Sequence, residues 1–259
     1  MPAPVNRFKQ ALAQGRRQLG FWSVSCSPMV AECIGQSGFD WVLLDTEHSP
    51  NELPNVMWQL QAMAGGTATP VVRPAWNDLV LIKRLLDVGA QTLLLPLVNS
   101  AAEAEAAVRA TRYPPQGVRG VALGGTRATD YGTIRDYAGT AADQICVLVQ
   151  VETKVAFDDL EKIAAVDGVD GVFIGPNDLA AGLGHLADVG HPVVQKALAD
   201  AARRLKAIGK PAGILVGGTV EQAMKHFDLG YAFVAAGVDM GLLAQATRAL
   251  ASETRAAMG

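Results

Sequence analysis

Four short apolar runs in this chain end in residues too polar for a packed interior. Trp41-Val42-Leu43-Leu44 leads into Asp45-Thr46-Glu47-His48, and Val71-Val72 leads into Arg73-Pro74. Val147-Leu148-Val149 leads into Gln150-Val151-Glu152, and Gly171-Val172-Phe173-Ile174 leads into Gly175-Pro176-Asn177-Asp178. Glu152 and Asp178, with no second His or Cys nearby, make an oxygen-only donor set suited to a hard divalent cation such as Mg2+ or Mn2+. Two protein ligands leave positions for water and for a chelating substrate, and a 2-oxo acid offers both a carboxylate and a keto oxygen. A cation so placed stabilises an enolate as a Lewis acid. Arg73 adds positive charge where the oxyanion develops, and His48, beside Asp45, is of the type that moves protons near neutral pH.

Each residue also has a plainer reading. His48 could cap a helix, Arg73 could pair with a structural carboxylate, and Glu152 and Asp178 could be helix-capping acids. Their convergence at four run ends argues for a site. A Schiff-base route would need a buried lysine at a strand end. Lys154 lies beyond its strand, and Lys83, Lys162, Lys196, Lys206 and Lys225 fall in helical segments. Lys9 is in the N-terminal segment and Lys210 precedes a strand, so metal dependence without an organic cofactor is expected.

The elements that must position these groups alternate. Strand-length apolar runs occur at Gly20–Ser25, Trp41–Glu47, Pro70–Pro74, Thr92–Val98, Ile145–Glu152, Gly171–Pro176, Pro211–Val216 and Ala232–Val238. Helical patterns fall at Pro28–Ser37, Leu53–Ala64, Asp78–Val88, Ala101–Thr111, Val155–Val166, Val193–Ile208, Val220–Phe227 and Leu242–Ala257. The strands are apolar throughout, as parallel strands covered on both faces require. Eight strand–helix units predict a TIM (β/α)8 barrel forming a single domain over residues 1–259, with chemistry at the C-terminal strand ends. A doubly wound sheet lacks its Gly-x-Gly-x-x-Gly turn here. Residues 113–144, rich in turn formers, are expected to form a long lid over the mouth.

Bulk properties exclude several classes. The 259 residues carry a formal charge of −3 with no basic run, so nucleic acid is not an expected partner. Three cysteines in no paired pattern predict free thiols in a reducing compartment. The N-terminus lacks the apolar core of a signal peptide, and no run of about 18 apolar residues occurs. A soluble cytoplasmic protein with small-molecule partners and no membrane association is expected.

The ordered set Gly38-Phe-Asp-Trp, Asp45-Thr-Glu-His48, Pro70-Val-Val-Arg-Pro74, Leu85-Leu-Asp-Val-Gly89, Arg112-Tyr-Pro-Pro115, Gly117-Val-Arg-Gly120, Val149-Gln-Val-Glu-Thr153 and Gly171-Val-Phe-Ile-Gly-Pro-Asn-Asp178 spans most of the chain. In it the sequence resembles the class II pyruvate aldolases of the 4-hydroxy-2-oxoheptanedioate aldolase family. The resemblance implies that Glu152 and Asp178 hold the metal (Mg2+, Mn2+ or Co2+), Arg73 stabilises the enolate, and His48 is the base. It implies that Asp87 raises the basicity of His48 and that Asp45 supports the same histidine. Gln150 and the Gly175–Asp178 turn, with Pro176 and Asn177, would hold the oxo acid beside Trp22. The donor would be pyruvate or hydroxypyruvate, the acceptor an aldehyde, and the assembly a homohexamer exchanging C-terminal helices.

Two features depart from the family pattern. Thr46 stands where many members have glycine, and Val121–Tyr131 alters the polarity of a region expected to meet the aldehyde. The seventh-strand end, Leu215-Val-Gly-Gly218, offers a small-residue wall suited to short polar aldehydes. An acyl-CoA thioester lyase of the citryl or malyl type would need a basic surface for the nucleotide tail, which is not evident. A non-catalytic metabolite-binding barrel is the third reading.

Overall fold

The computed structural model describes all residues 1–259. Eight strands, β1 (Gln18–Ser23), β2 (Trp41–Asp45), β3 (Thr69–Arg73), β4 (Thr92–Leu95), β5 (Cys146–Val151), β6 (Gly171–Ile174), β7 (Ala212–Leu215) and β8 (Phe233–Val238), form a closed barrel in chain order. Every neighbouring pair is parallel, including β8 with β1. This is the expected TIM barrel.

The helices are α1 (Arg7–Ala13), α2 (Pro28–Gly35), α3 (Leu53–Ala62), α4 (Leu79–Asp87), α5 (Ala101–Thr111), α6 (Tyr137–Gln144), α7 (Lys154–Asp158), α8 (Leu160–Ala164), α9 (Pro176–Gly182), α10 (Pro192–Ala207), α11 (Val220–Leu229) and α12 (Asp239–Met258). Sequence caps start several of them: Ser27, Asp78, Ser100, Thr153 and Thr219 each accept a hydrogen bond from a first-turn amide. None is long and apolar enough to cross a membrane.

Strand periodicity divides the core in two. Val42, Leu44 and Val72 point outward to the helices, within an apolar cluster of 48 buried residues. Trp41, Leu43, Val71, Leu94, Leu148 and Phe173 point inward, within a cluster of 12 that fills the barrel. Glycines make room for the large rings: a Cβ at Gly20 would lie 2.0 Å from the Trp41 indole, and one at Gly213 would lie 2.0 Å from Phe233. The N-terminal end is closed by α1, an element the hydrophobic pattern missed. Its Phe8 packs 5.8 Å from Trp41 and 5.6 Å from Phe233.

The lid expectation is corrected by topology. Residues 112–144 join the end of α5 to the start of β5, which places them at the N-terminal end of the barrel, away from the mouth. Arg127 Nη1 donates to Val88 O at the end of α4 (2.9 Å), and Asn6 ties Gln144 to Thr92 at the start of β4. The long connection on the mouth side is instead residues 175–191, between β6 and α10. It contains α9, which the sequence reading did not separate from its surroundings. The helix expected at Val155–Val166 is interrupted at Asp159 into α7 and α8.

Candidate active site

Inward parity continues past the apolar layers into the site. On β2 the inward residues are Trp41 and Leu43, then Asp45, and Glu47 follows two residues on. On β3 Val71 is followed by Arg73, on β5 Leu148 by Gln150 and Glu152, and on β1 Gly20 by Trp22. These polar side chains therefore meet at the C-terminal mouth, beside a cavity of about 940 Å3; Trp22, Arg73 and Gln150 line it, while Asp45, Glu47 and the buried Glu152 lie behind its wall. Its lining includes Trp22, His48, Arg73, Gln150, the Gly175–Asp178 turn and Leu215, so most of the expected site residues are together.

Asp45 and Arg73 are register partners on adjacent strands. Arg73 Nε and Nη2 donate to the two Asp45 oxygens at 2.9 and 2.6 Å, a bidentate pair shielded from water. Asp45 also accepts from Trp22 Nε1 (3.2 Å) and the Glu47 amide (3.0 Å). Burial pushes the Asp45 carboxyl up, but the Arg73 bonds and charge, the Glu47 amide and the Trp22 indole outweigh it, leaving the pKa below the usual range. The guanidinium carbon lies 4.8 Å from the Trp22 ring centroid, and Trp22 packs against Phe173 in a tilted pair with centroids 5.5 Å apart. Arg73 is thereby held between Asp45 and Trp22.

Glu47 was quoted in the sequence motif but given no role, and it belongs to the site. Its Oε2 lies 2.8 Å from Arg73 Nη1, an ion-pair contact without an aligned hydrogen bond. Burial raises the Glu47 pKa against the pull of Arg73 and His48, and Asp45 and Asp178 push it up further. Counting by two along β2 from Leu43 would have found it.

Glu152 is the most perturbed acid of the group. Its Oε1 accepts from the Leu97 amide (2.9 Å) and its Oε2 from Gln150 Nε2 (2.5 Å). Burial nevertheless pushes its pKa to about 7, with Glu47 and Asp178 adding to the rise over those two hydrogen bonds. Gln150 Oε1 is buried without a partner. No three His, Cys, Asp or Glu side chains form an all-protein metal cage. The arrangement is instead an open carboxylate set with spare oxygen acceptors. Negative charge that burial disfavours is what a divalent cation would relieve, so the residues fit such an ion.

Within one chain, neither expected support of His48 is engaged with it. The oxygens of Asp45 are taken by Arg73, Trp22 and the Glu47 amide, so Asp45 holds the arginine rather than the histidine. Asp87 closes α4 at the N-terminal end of the barrel, where its Oδ1 accepts from Arg119 Nη2 at 3.0 Å. The nine residues of α4, roughly 13 Å of helix, separate it from the mouth. His48 itself is 68% exposed at its side chain, with Glu47 Oε2 3.9 Å from Nε2. The lysine lining the cavity, Lys225, lies on α11 and donates to Gln195, outside the barrel interior that a Schiff base would need.

The model of the HpcH/HpaI aldolase/citrate lyase family matches residues 18–246, all eight strands included. The chain is 51% identical to a hydroxypyruvate/pyruvate aldolase of Pseudomonas aeruginosa, over 97% of this chain and 93% of that one. It is 52% identical to a 4-hydroxy-2-oxo-heptane-1,7-dioate aldolase of Klebsiella pneumoniae, over 95% and 93%. A solved HpcH/HpaI aldolase/citrate lyase family protein of Burkholderia cenocepacia superposes with a TM-score of 0.92 at 41% identity, covering 97% of this chain and all of that one. Such likeness to aldolases disfavours the thioester-lyase alternative. The protein is an aldolase, a carbon–carbon lyase, and the chain belongs to the HpcH/HpaI aldolase/citrate lyase family.

Proposed function

We propose that this aldolase forms and cleaves 4-hydroxy-2-oxo acids, using the enolate of pyruvate or hydroxypyruvate as donor and an aldehyde as acceptor. The observation that carries the reading is the set of mutually repelling carboxylates Glu47, Glu152 and Asp178 beside a rigidly held Arg73. Glu152 and Asp178 would hold a divalent cation, Mg2+, Mn2+ or Co2+. When bound, that ion supplies Lewis-acid polarisation of the donor's keto oxygen.

The chain's own residues account for the rest. Arg73, locked by Asp45 and Trp22 and lining the cavity, stabilises the enolate oxygen without reorganising. The first-turn amides of Asn177 and Asp178 have no intrahelical partner and receive the donor carboxylate. Trp22 and Phe173 exclude water from the floor. His48, exposed and lining the cavity, takes the C3 proton of the donor or the hydroxyl proton of the adduct. Leu215 and the small residues after it form the acceptor wall.

We further propose that the working enzyme is a homo-oligomer, a hexamer by family resemblance. Of the 20 residues of α12, Asp239 alone is buried, and Leu242, Leu243 and Leu250 are exposed. If Asp87 serves His48, it serves that of another subunit, because the two lie at opposite ends of one barrel.

The test is metal-dependent aldol cleavage by the Glu152→Ala and Asp178→Ala variants. Loss of at least about a hundredfold in kcat/KM is expected for each. Full retention in either would remove that residue from the metal set.

A further inference from the structure

Glu152 is oriented by a backbone amide whose own conformation is unusual. Leu97, in the loop after β4, has φ +53°, in the left-handed region that leucine rarely adopts. This twist turns its N–H toward Glu152 Oε1, 2.9 Å away. Nothing in the leucine side chain favours the conformation, so surrounding groups must impose it.

The clamp runs through Asn99. Its Nδ2 donates to the carbonyl of Leu97 (2.9 Å), and its Oδ1 accepts from Thr153 Oγ1 (2.5 Å). Its own amide donates to Glu103 Oε2 (2.8 Å). Thr153 directly follows Glu152 and caps α7 by accepting from the Ala156 amide (3.1 Å). Val98 N–H donates to the Gln150 carbonyl (3.2 Å), closing the same strand-end junction. Asn99 thus links the peptide that donates to Glu152 with the residue that follows Glu152 on the chain.

We propose that Asn99 and Thr153 are positioning residues for metal binding. They hold Leu97 left-handed, so that its amide fixes one lone pair of Glu152 Oε1 and leaves the rest of the carboxylate directed at the cation. Gln150 does the same for Oε2. An outer support of this kind sets cation affinity without touching substrate. The inference rests on the reading of Glu152 as a metal ligand.

The experiment is Mn2+ titration of the purified full-length protein without substrate, followed by the electron paramagnetic resonance of free Mn2+. Thermal denaturation of each metal-free variant is recorded alongside. Asn99→Ala and Thr153→Val are expected to weaken Mn2+ binding roughly tenfold. Thr153→Ser, which keeps the hydroxyl for both Asn99 and the helix cap, is expected to bind as the wild type does. If Asn99→Ala does not fold, Thr153→Val against Thr153→Ser gives the same reading. Glu152→Ala separates the two possible failures. Wild-type Mn2+ affinity in Glu152→Ala overturns the ligand reading itself. Loss of binding in Glu152→Ala, with wild-type affinity in Asn99→Ala and Thr153→Val, overturns the positioning role alone.

Discussion

A Cβ placed on Gly175 would lie 2.6 Å from both the Cβ and the Oε2 of Glu152. The two residues sit on adjacent strand ends, and the Gly175 amide donates to Val151 O at 3.1 Å, so the backbone has little freedom to retreat. Glycine at 175 is therefore a requirement for space beside the carboxylate, since its φ of −82° is open to any residue. Gly175→Ala should push Glu152 out of line, weakening Mn2+ binding at least about tenfold and costing about 1–3 kcal/mol of stability by overpacking. Isothermal titration and urea denaturation measure the two effects.

Removing the carboxylate at position 45 strands a buried cation. Arg73 would lose both bidentate bonds while still enclosed by Trp22, and only Glu47 would remain to compensate it. Asp45→Ala should destabilise the fold by about 3–5 kcal/mol and lower kcat more than it raises KM for the donor. A conservative Arg73→Lys change should not restore function, because lysine lacks the planar fork that the two Asp45 oxygens engage. Urea melts and steady-state kinetics of both variants check this.

The raised pKa of Glu152 has a defined sign. Its folded value of about 7 lies above the ordinary 4.5, so the folded metal-free enzyme binds the proton more tightly than the unfolded chain. That contribution to stability is present at low pH. It fades as pH rises from about 4.5 through 7, with a total on the order of 3 kcal/mol for the shift. Glu47, also raised, adds in the same direction. Glu152→Gln should flatten the stability profile of the metal-free enzyme over this window. Mn2+ affinity of the wild type should climb with pH to about 7 and level off above it, because the cation competes with the proton. Denaturant melts and Mn2+ titrations across pH 5–8 read both.

The separation of His48 from Asp87 leads to a mixing experiment. If Asp87 acts on a neighbouring subunit's histidine, co-expressed His48→Ala and Asp87→Ala chains should recover part of the activity that each lacks alone. Mixed assemblies isolated by two affinity tags, and no more active than the separate variants, would show that Asp87 has no role at another subunit's site.

The barrel was legible because a parallel strand covered on both faces must be apolar throughout, and eight such runs alternate with helices. Arg73, Gln150 and Glu152 were legible for the same reason in reverse, as polar residues interrupting those runs. Glu47 continued the inward parity just past the end of β2 but was hidden among three other polar neighbours. The misplacement of residues 113–144 came from counting turn formers without asking which end of the barrel an α-to-β connection occupies. Asp87 sits in a family motif, yet its position as the last residue of α4 already put it at the end opposite the mouth. The helix α1 escaped notice because a seven-residue plug needs only Phe8, Ala11 and Leu12 buried, too few to set up a periodic signal.

The central claim is that this mouth generates the enolate of a 2-oxo acid, and deuterium exchange at C3 of pyruvate tests it without any choice of aldehyde. In D2O with Mn2+ or Mg2+, proton magnetic resonance should show the methyl signal of pyruvate disappearing with the wild-type enzyme. It should persist with Glu152→Ala, with Arg73→Ala, and with wild-type enzyme treated with a chelator. Absence of exchange in the metal-loaded wild type, or undiminished exchange in the two variants, would contradict the account.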